Sequence, residues 1–131
     1  MELGDIYVSD AHAFAAYLAD SLPGKADKIF KDCESEKCEI QIPSIAMAEL
    51  LFVFEKTSTQ SKIWDMFDRL DLTPSLKVHA LDLEILKLLP DIKLKEIHDR
   101  IIVATCKQAK AKGLITKDEE ITRSGIVKTF W

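Results

Sequence analysis

Residues 38–56 read CEIQIPSIAMAELLFVFEK, a strand-type run passing straight into a helix, and this junction decides the fold. Cys38 to Ile42 is a strand, and Pro43, with its fixed φ and missing N–H, suits the first turn of a helix reaching about Lys56. Outward from that unit the same alternation repeats. Before it come a short strand run at Ile6–Val8, a helix over Ala11–Leu22 stopped by Pro23-Gly24, and a polar amphipathic helix from Lys25 to about Glu36. After it come a helix over about Thr59–Leu70, a strand at Leu76–Ala80, and a helix over Leu81–Leu89 ended by Pro90. From Ile97 the apolar positions Ile101, Ala104 and Ala109 recur at helical spacing, with Gly113 as the cap. Leu114–Thr116 and Ile126–Phe130 are the last strand runs. Strands separated by helices call for crossover connections and a parallel sheet covered on both faces. The expectation is an α/β fold, a three-layer α/β/α sandwich around a central parallel sheet of four to five strands.

At 131 residues the chain fits one domain spanning 1–131, and it supports a core without staples. No apolar run is long enough for a membrane span. The first residues carry Glu2 and Asp5 and no base, a poor secretory leader, so the expected compartment is the cytoplasm. Cys33, Cys38 and Cys106 form no C-x-x-C pair and have no His at zinc spacing, so reduced thiols are expected. The net charge of −4 is unevenly spread. Residues 1–86 hold 8 Lys/Arg against 16 Asp/Glu, whereas residues 87–131 hold 10 against 6. An acidic protein of this kind has room for a local phosphate-attracting face.

Open α/β sheets place their chemistry at the carboxyl ends of the strands. Asp10 directly follows the first strand run and Asp118 the fourth. From Ile45 to Phe54 every residue but Glu49 is apolar, so this helix is buried and its carboxylate is either buried or aimed at a cleft. An isolated buried charge must be paired, protonated or bound to metal. Asp99 opens the helix after Lys95-Glu96-Ile97-His98, where the free amides and the dipole also favour a carboxylate. Asp10, Glu49, Asp99 and Asp118 gathered at one end of the sheet would repel one another, and a hard divalent cation relieves that repulsion. No Ser-His-Asp or Cys-His arrangement and no phosphate-cradling glycine loop is present.

In this order and spacing the residues resemble the PIN-domain ribonucleases, especially the VapC toxins of VapBC toxin–antitoxin systems. IYVSDAHAF resembles the first motif, with its Asp at Asp10, and IPSIAMAEL the second, with its Glu at Glu49. IHDRIIVATC resembles the third, with its Asp at Asp99. GLITKDEEI resembles the fourth, with the strand Thr at Thr116 and the acid at Asp118, and SGIVKTFW is similar to the last strand. Ala11 stands where the family often has Thr or Ser, leaving Thr116 and Ser44 as polar supports. The resemblance implies Mg²⁺ or Mn²⁺ at the four acids, hydrolysis of single-stranded RNA, and an antitoxin or a second copy of the chain as partner. Arg100, Lys117 and Arg123 neighbour the acid motifs and are the expected RNA contacts. Other readings within the fold are an RNA-processing or RNA-decay nuclease without an antitoxin, and an inactive scaffold that binds RNA or protein. His12, two residues after Asp10, either faces the site or packs at the helix start, and His79 and His98 are assigned structural or surface roles. The apolar stretches Leu51–Phe54 and Trp64–Phe67 are read as core, and since their density exceeds what one helix face needs, a dimer or partner groove is the second reading.

Overall fold

A computed structural model describes residues 4–57 and 59–131; Met1–Leu3, part of the stretch read for a leader, and Ser58 lie outside the described residues. The elements follow in the order β1 Ile6–Ser9, α1 Ala11–Leu18, α2 Gly24–Glu34, β2 Glu39–Pro43, α3 Ser44–Lys56, α4 Gln60–Leu72 and β3 Leu76–His79. They continue with α5 Leu83–Leu88, a 3-10 turn at Leu89–Asp91, α6 Ile97–Ala109, β4 Gly113–Ile115, α7 Glu119–Ser124 and β5 Thr129–Phe130. The strands form one sheet in the order β3-β2-β1-β4-β5, all neighbours parallel.

The alternation of side chains along each strand sorts the core into two layers. Tyr7, Ile40 and Ile42 face one cluster, filled by Phe14 of α1, Phe30 of α2, Met47 and Leu50 of α3 and Met66 of α4. Val8 and Leu114 face the other, filled by Ile85, by Ile101, Ile102 and Val103 of α6, and by Ile121 of α7. Burying an apolar side chain of this size stabilises by roughly 1.5–3 kcal/mol, so both layers are needed to hold a sheet of such short strands. This is the three-layer α/β/α sandwich around a parallel sheet. No described helix is long and apolar enough to cross a membrane.

Several boundaries differ from the sequence reading for local reasons. Pro43 is the last residue of β2, paired with His79, and precedes α3 instead of sitting in its first turn. The α1 helix stops at Leu18 because Asp20 turns left-handed at φ 54° and Ser21 closes on the Ala16 carbonyl. Lys110, at φ 53°, caps α6, and Gly113 instead opens β4. Gly113 is required by close approach: a Cβ there would run into the Phe130 ring and stand 2.6 Å from the Lys128 carbonyl oxygen. The short helix α7 is an addition, capped by Asp118 and ended by Gly125 at φ 66°.

Candidate active site

The chain runs from β1 to β2 and β3 on one side, then returns to lay β4 on the other flank of β1. That reversal opens a crevice at the carboxyl ends of β1 and β4, the position where such sheets bind ligands. Asp10 and Asp118 both lie there, because each is the N-cap of the helix leaving its strand. The Asp10 Oδ1 accepts the Ala13 N–H at 2.7 Å, and the Asp118 Oδ1 accepts the Ile121 N–H at 2.8 Å. Thr116, fully buried just after β4, joins the two. Its hydroxyl donates to Asp10 Oδ2 at 2.5 Å and accepts the Asp118 N–H at 3.0 Å.

Asp99 lies in the first turn of α6. Burial pushes its carboxyl up to about 6, and the charges of Asp118, Glu120, Glu96 and Asp10 add to that rise. The Asp10 carboxyl is likewise raised by burial, against the pull of its bonds from Thr116 and Ala13, with Asp118 again adding to the rise. Three acids from separate elements therefore feel one another. Glu49 lies on α3: its side chain is 37% exposed, yet Oε1 is buried and makes no hydrogen bond. The neighbouring cation is His98 of α6, whose Nδ1 stands 3.7 Å away, too far for a hydrogen bond and an ion pair only when protonated.

The donor chemistry fits a hard divalent cation: carboxylate oxygens only, one of them orphaned, around a raised acid. As the side chains stand, no group of three or more His, Cys, Asp or Glu among the described residues is gathered tightly enough to clasp one ion. The family model described as "PIN domain" matches residues 7–126, which is most of the chain. The chain belongs to the PIN domain family. No curated protein matches the sequence. Among solved structures, this PIN domain is similar to the one described as VapBC2 from Rickettsia felis bound to a DNA fragment from their promoter. The TM-score is 0.75 at 15% identity, over 95% of this chain and 97% of that one. It is similar also to a toxin–antitoxin complex from Klebsiella pneumoniae, with TM-score 0.66, 18% identity and coverage of 95% and 96%. A third is VapC20 from Mycobacterium tuberculosis, described as a Sarcin-Ricin loop cleaving toxin, with TM-score 0.68, 12% identity and coverage of 92% and 95%. At such identities these likenesses speak for the fold.

The remaining residues of interest in this PIN domain have separate surroundings. The Ser44 hydroxyl accepts the Leu81 N–H at 3.1 Å, so it ties α3 to the segment after β3. Lys117 and Arg123 line one hollow together with Thr116. Arg100 lies in another beside Lys93, Lys95 and Glu120, its Nε donating to the Leu94 carbonyl. His12 is exposed and its ring meets Trp131 at 6.2 Å. His79 is structural, its two ring nitrogens facing the Gln41 and Gln108 amides. The three cysteines are buried and free, as the sequence reading expects. Sequence reasoning passed over Glu96 and Glu120, whose charges act on Asp99; the run Asp118-Glu119-Glu120 was the available signal for the second.

Proposed function

We propose that this PIN domain is a divalent-metal-dependent endoribonuclease that hydrolyses single-stranded RNA and serves as the toxin of a toxin–antitoxin pair. The observation that carries the reading is the convergence of carboxylates at the crevice of a PIN fold: Asp10 and Asp118 joined through Thr116, with Asp99 close enough to feel both. Repelling carboxylates with an orphaned Glu49 oxygen nearby have no structural benefit of their own, and a cation offsets them. Asp10, Glu49, Asp99 and Asp118 would hold Mg²⁺ or Mn²⁺. When bound, such an ion lowers the pKa of a coordinated water and offsets charge developing on a phosphoryl oxygen.

The chain's own groups prepare that chemistry. Thr116 fixes Asp10 and the Asp118 backbone in one register, so two of the acids cannot drift apart. Lys117 and Arg123, beside Thr116, would draw the phosphate towards the acids. Water attacks phosphorus and the P–O3′ bond breaks, the 3′-oxygen leaving and taking up a proton, so no 2′-hydroxyl attack is needed and the ends formed are a 3′-hydroxyl and a 5′-phosphate.

The test is cleavage of single-stranded RNA by the native chain and by Glu49→Gln, in Mn²⁺, Mg²⁺ or EDTA, with end-group analysis. Cleavage by the native chain with metal, its loss in EDTA and a strong fall in the variant support the reading. Full cleavage in EDTA, or 2′,3′-cyclic phosphate ends, overturns it. The antitoxin part rests on exposed Phe52, Val53, Trp64 and Phe67 on α3 and α4, which nothing in this chain covers among the described residues. The similar structures from Rickettsia felis and Klebsiella pneumoniae, described as VapBC2 and as a toxin–antitoxin complex, support it too. Co-purification with the product of an adjacent gene tests it, and sedimentation of the isolated chain tests the expected homodimer.

A further inference from the structure

Two hollows lie end to end beside the crevice and share a wall. The first, of about 530 Å³, is lined by Thr116, Lys117, Glu119, Arg123, Thr129 and Trp131, with Arg123 standing 3.5 Å from Glu119. The second, of about 410 Å³, is lined by Lys25, Lys28, Lys128, Thr129, Phe130 and Trp131. Thr129 and Trp131 belong to both, so one surface runs from Thr116, which holds Asp10, to the start of α2. Lysines from both ends of the sequence meet there, although the N-terminal two-thirds of the chain is acidic.

Charge and aromatic surface are interleaved along this path. The Lys128 ammonium lies 5.2 Å from the centroid of the Phe130 ring, and that ring meets Tyr7 edge-on at 5.4 Å. Trp131 is half-buried against the core, which fixes the indole while leaving part of it to solvent. Its other neighbour is His12, two residues beyond Asp10. Lys28 is held by Asp32 at 3.3 Å, whereas Lys25, Lys117 and Lys128 have no ion-pair partner among the described residues. A lysine-lined groove with a fixed aromatic plate is the arrangement that takes a single nucleic-acid strand: phosphates on the ammonium groups, a base on the ring.

We infer that single-stranded RNA leaves the acid crevice over Trp131, which stacks a base, and lays its phosphates along Lys25 and Lys128 on the far side. This rests on the proposed ribonuclease reading and adds to it a binding track several nucleotides long. Lys25 and Lys128 are not among the four acids or their hydrogen-bond partners, so the track sets affinity and substrate length and leaves the carboxylates untouched.

The experiment is fluorescence anisotropy of a 5′-fluorescein uridylate decamer in EDTA, over a range of salt, with melting curves of every variant. The native chain is compared with Lys25→Ala/Lys128→Ala, with Trp131→Ala and Trp131→Phe, and with Lys56→Ala/Lys62→Ala as a control of equal charge change on α3 and α4. The track variant should bind about tenfold more weakly and flatten the plot of log affinity against log salt by about 1.4, two phosphate contacts at roughly 0.7 each for a single strand. Trp131→Ala should lose roughly 5- to 100-fold, and Trp131→Phe should recover most of it. A control double variant that weakens binding as much as the track variant overturns the inference. So does a Trp131→Ala variant that binds as tightly as the native chain. A native chain that cleaves RNA but whose affinity ignores the track lysines sinks the track alone, and one that neither binds nor cleaves RNA sinks the ribonuclease reading with it.

Discussion

Asp99 shows how much a single side chain at the crevice can report. Its carboxyl titrates near 6 in the folded chain because burial and neighbouring acids oppose its charge. Between about pH 4 and pH 6 the unfolded chain has released that proton while the folded one still holds it, so stability falls as pH rises through this window. Glu39 and Asp82, whose carboxyls are held low by their partners, act the other way in both proteins, so in EDTA Asp99→Asn should gain melting temperature relative to the native chain as pH rises from about 4.5 to 7. Equal slopes in the two proteins would show that Asp99 is not the source. Thr116 gives a second check. Thr116→Val keeps the shape but leaves the Asp10 oxygen and the Asp118 N–H without their shared partner. A loss of roughly 1–3 kcal/mol in urea unfolding is expected. At this scale the sequence is readable where a residue contradicts its surroundings. Glu49 stands out because its helix is otherwise apolar. Trp131 does not, because its meaning comes in part from Lys25, more than a hundred positions away, and no local pattern carries that.

Elements are legible to the extent that their stops are written in proline and glycine. Pro90 follows the end of α5 as expected, inside the 3-10 turn, whereas Pro23 stands at the start of α2 and not at the end of α1, and the β2–α3 junction is shifted only by placing Pro43 on the strand. The α1 and α6 helices end on Asp20 and Lys110 in left-handed conformations, a job more often given to glycine, so their ends could not be read from residue type. Gly113 misleads for the converse reason: its lack of a side chain serves strand packing. Gly113→Ala would force a Cβ into the Lys128 carbonyl, backbone that cannot swing aside. A destabilisation of about 1–3 kcal/mol is expected. Hydrogen exchange should show β5 loosened before the β1–β2 pair. A variant as stable as the native chain would mean that β4 and β5 can part at little cost.

For the whole molecule, the two-layer core follows from the alternation of strand and helix, and the sheet order decides which strand ends become neighbours. Asp10, Asp99 and Asp118 repel one another in the native state, so a cation that binds them only there would raise stability by mass action. Millimolar Mn²⁺ or Mg²⁺ should raise the melting temperature over that in EDTA, and Asp10→Asn should blunt the rise. Coincident curves for the native chain would leave the acids without a metal. Sheet order has a consequence for synthesis as well. Asp10 is held by Thr116, 106 residues later, and β1 gains its second neighbour only when β4 arrives. A nascent chain on the ribosome can pair β1 with β2, and β2 with β3, early, yet its crevice has one wall until residues past 118 have emerged. The cutting surface proposed for this protein is thus incomplete until Thr116 and Asp118 have left the ribosome, while the chain already sits against ribosomal and messenger RNA.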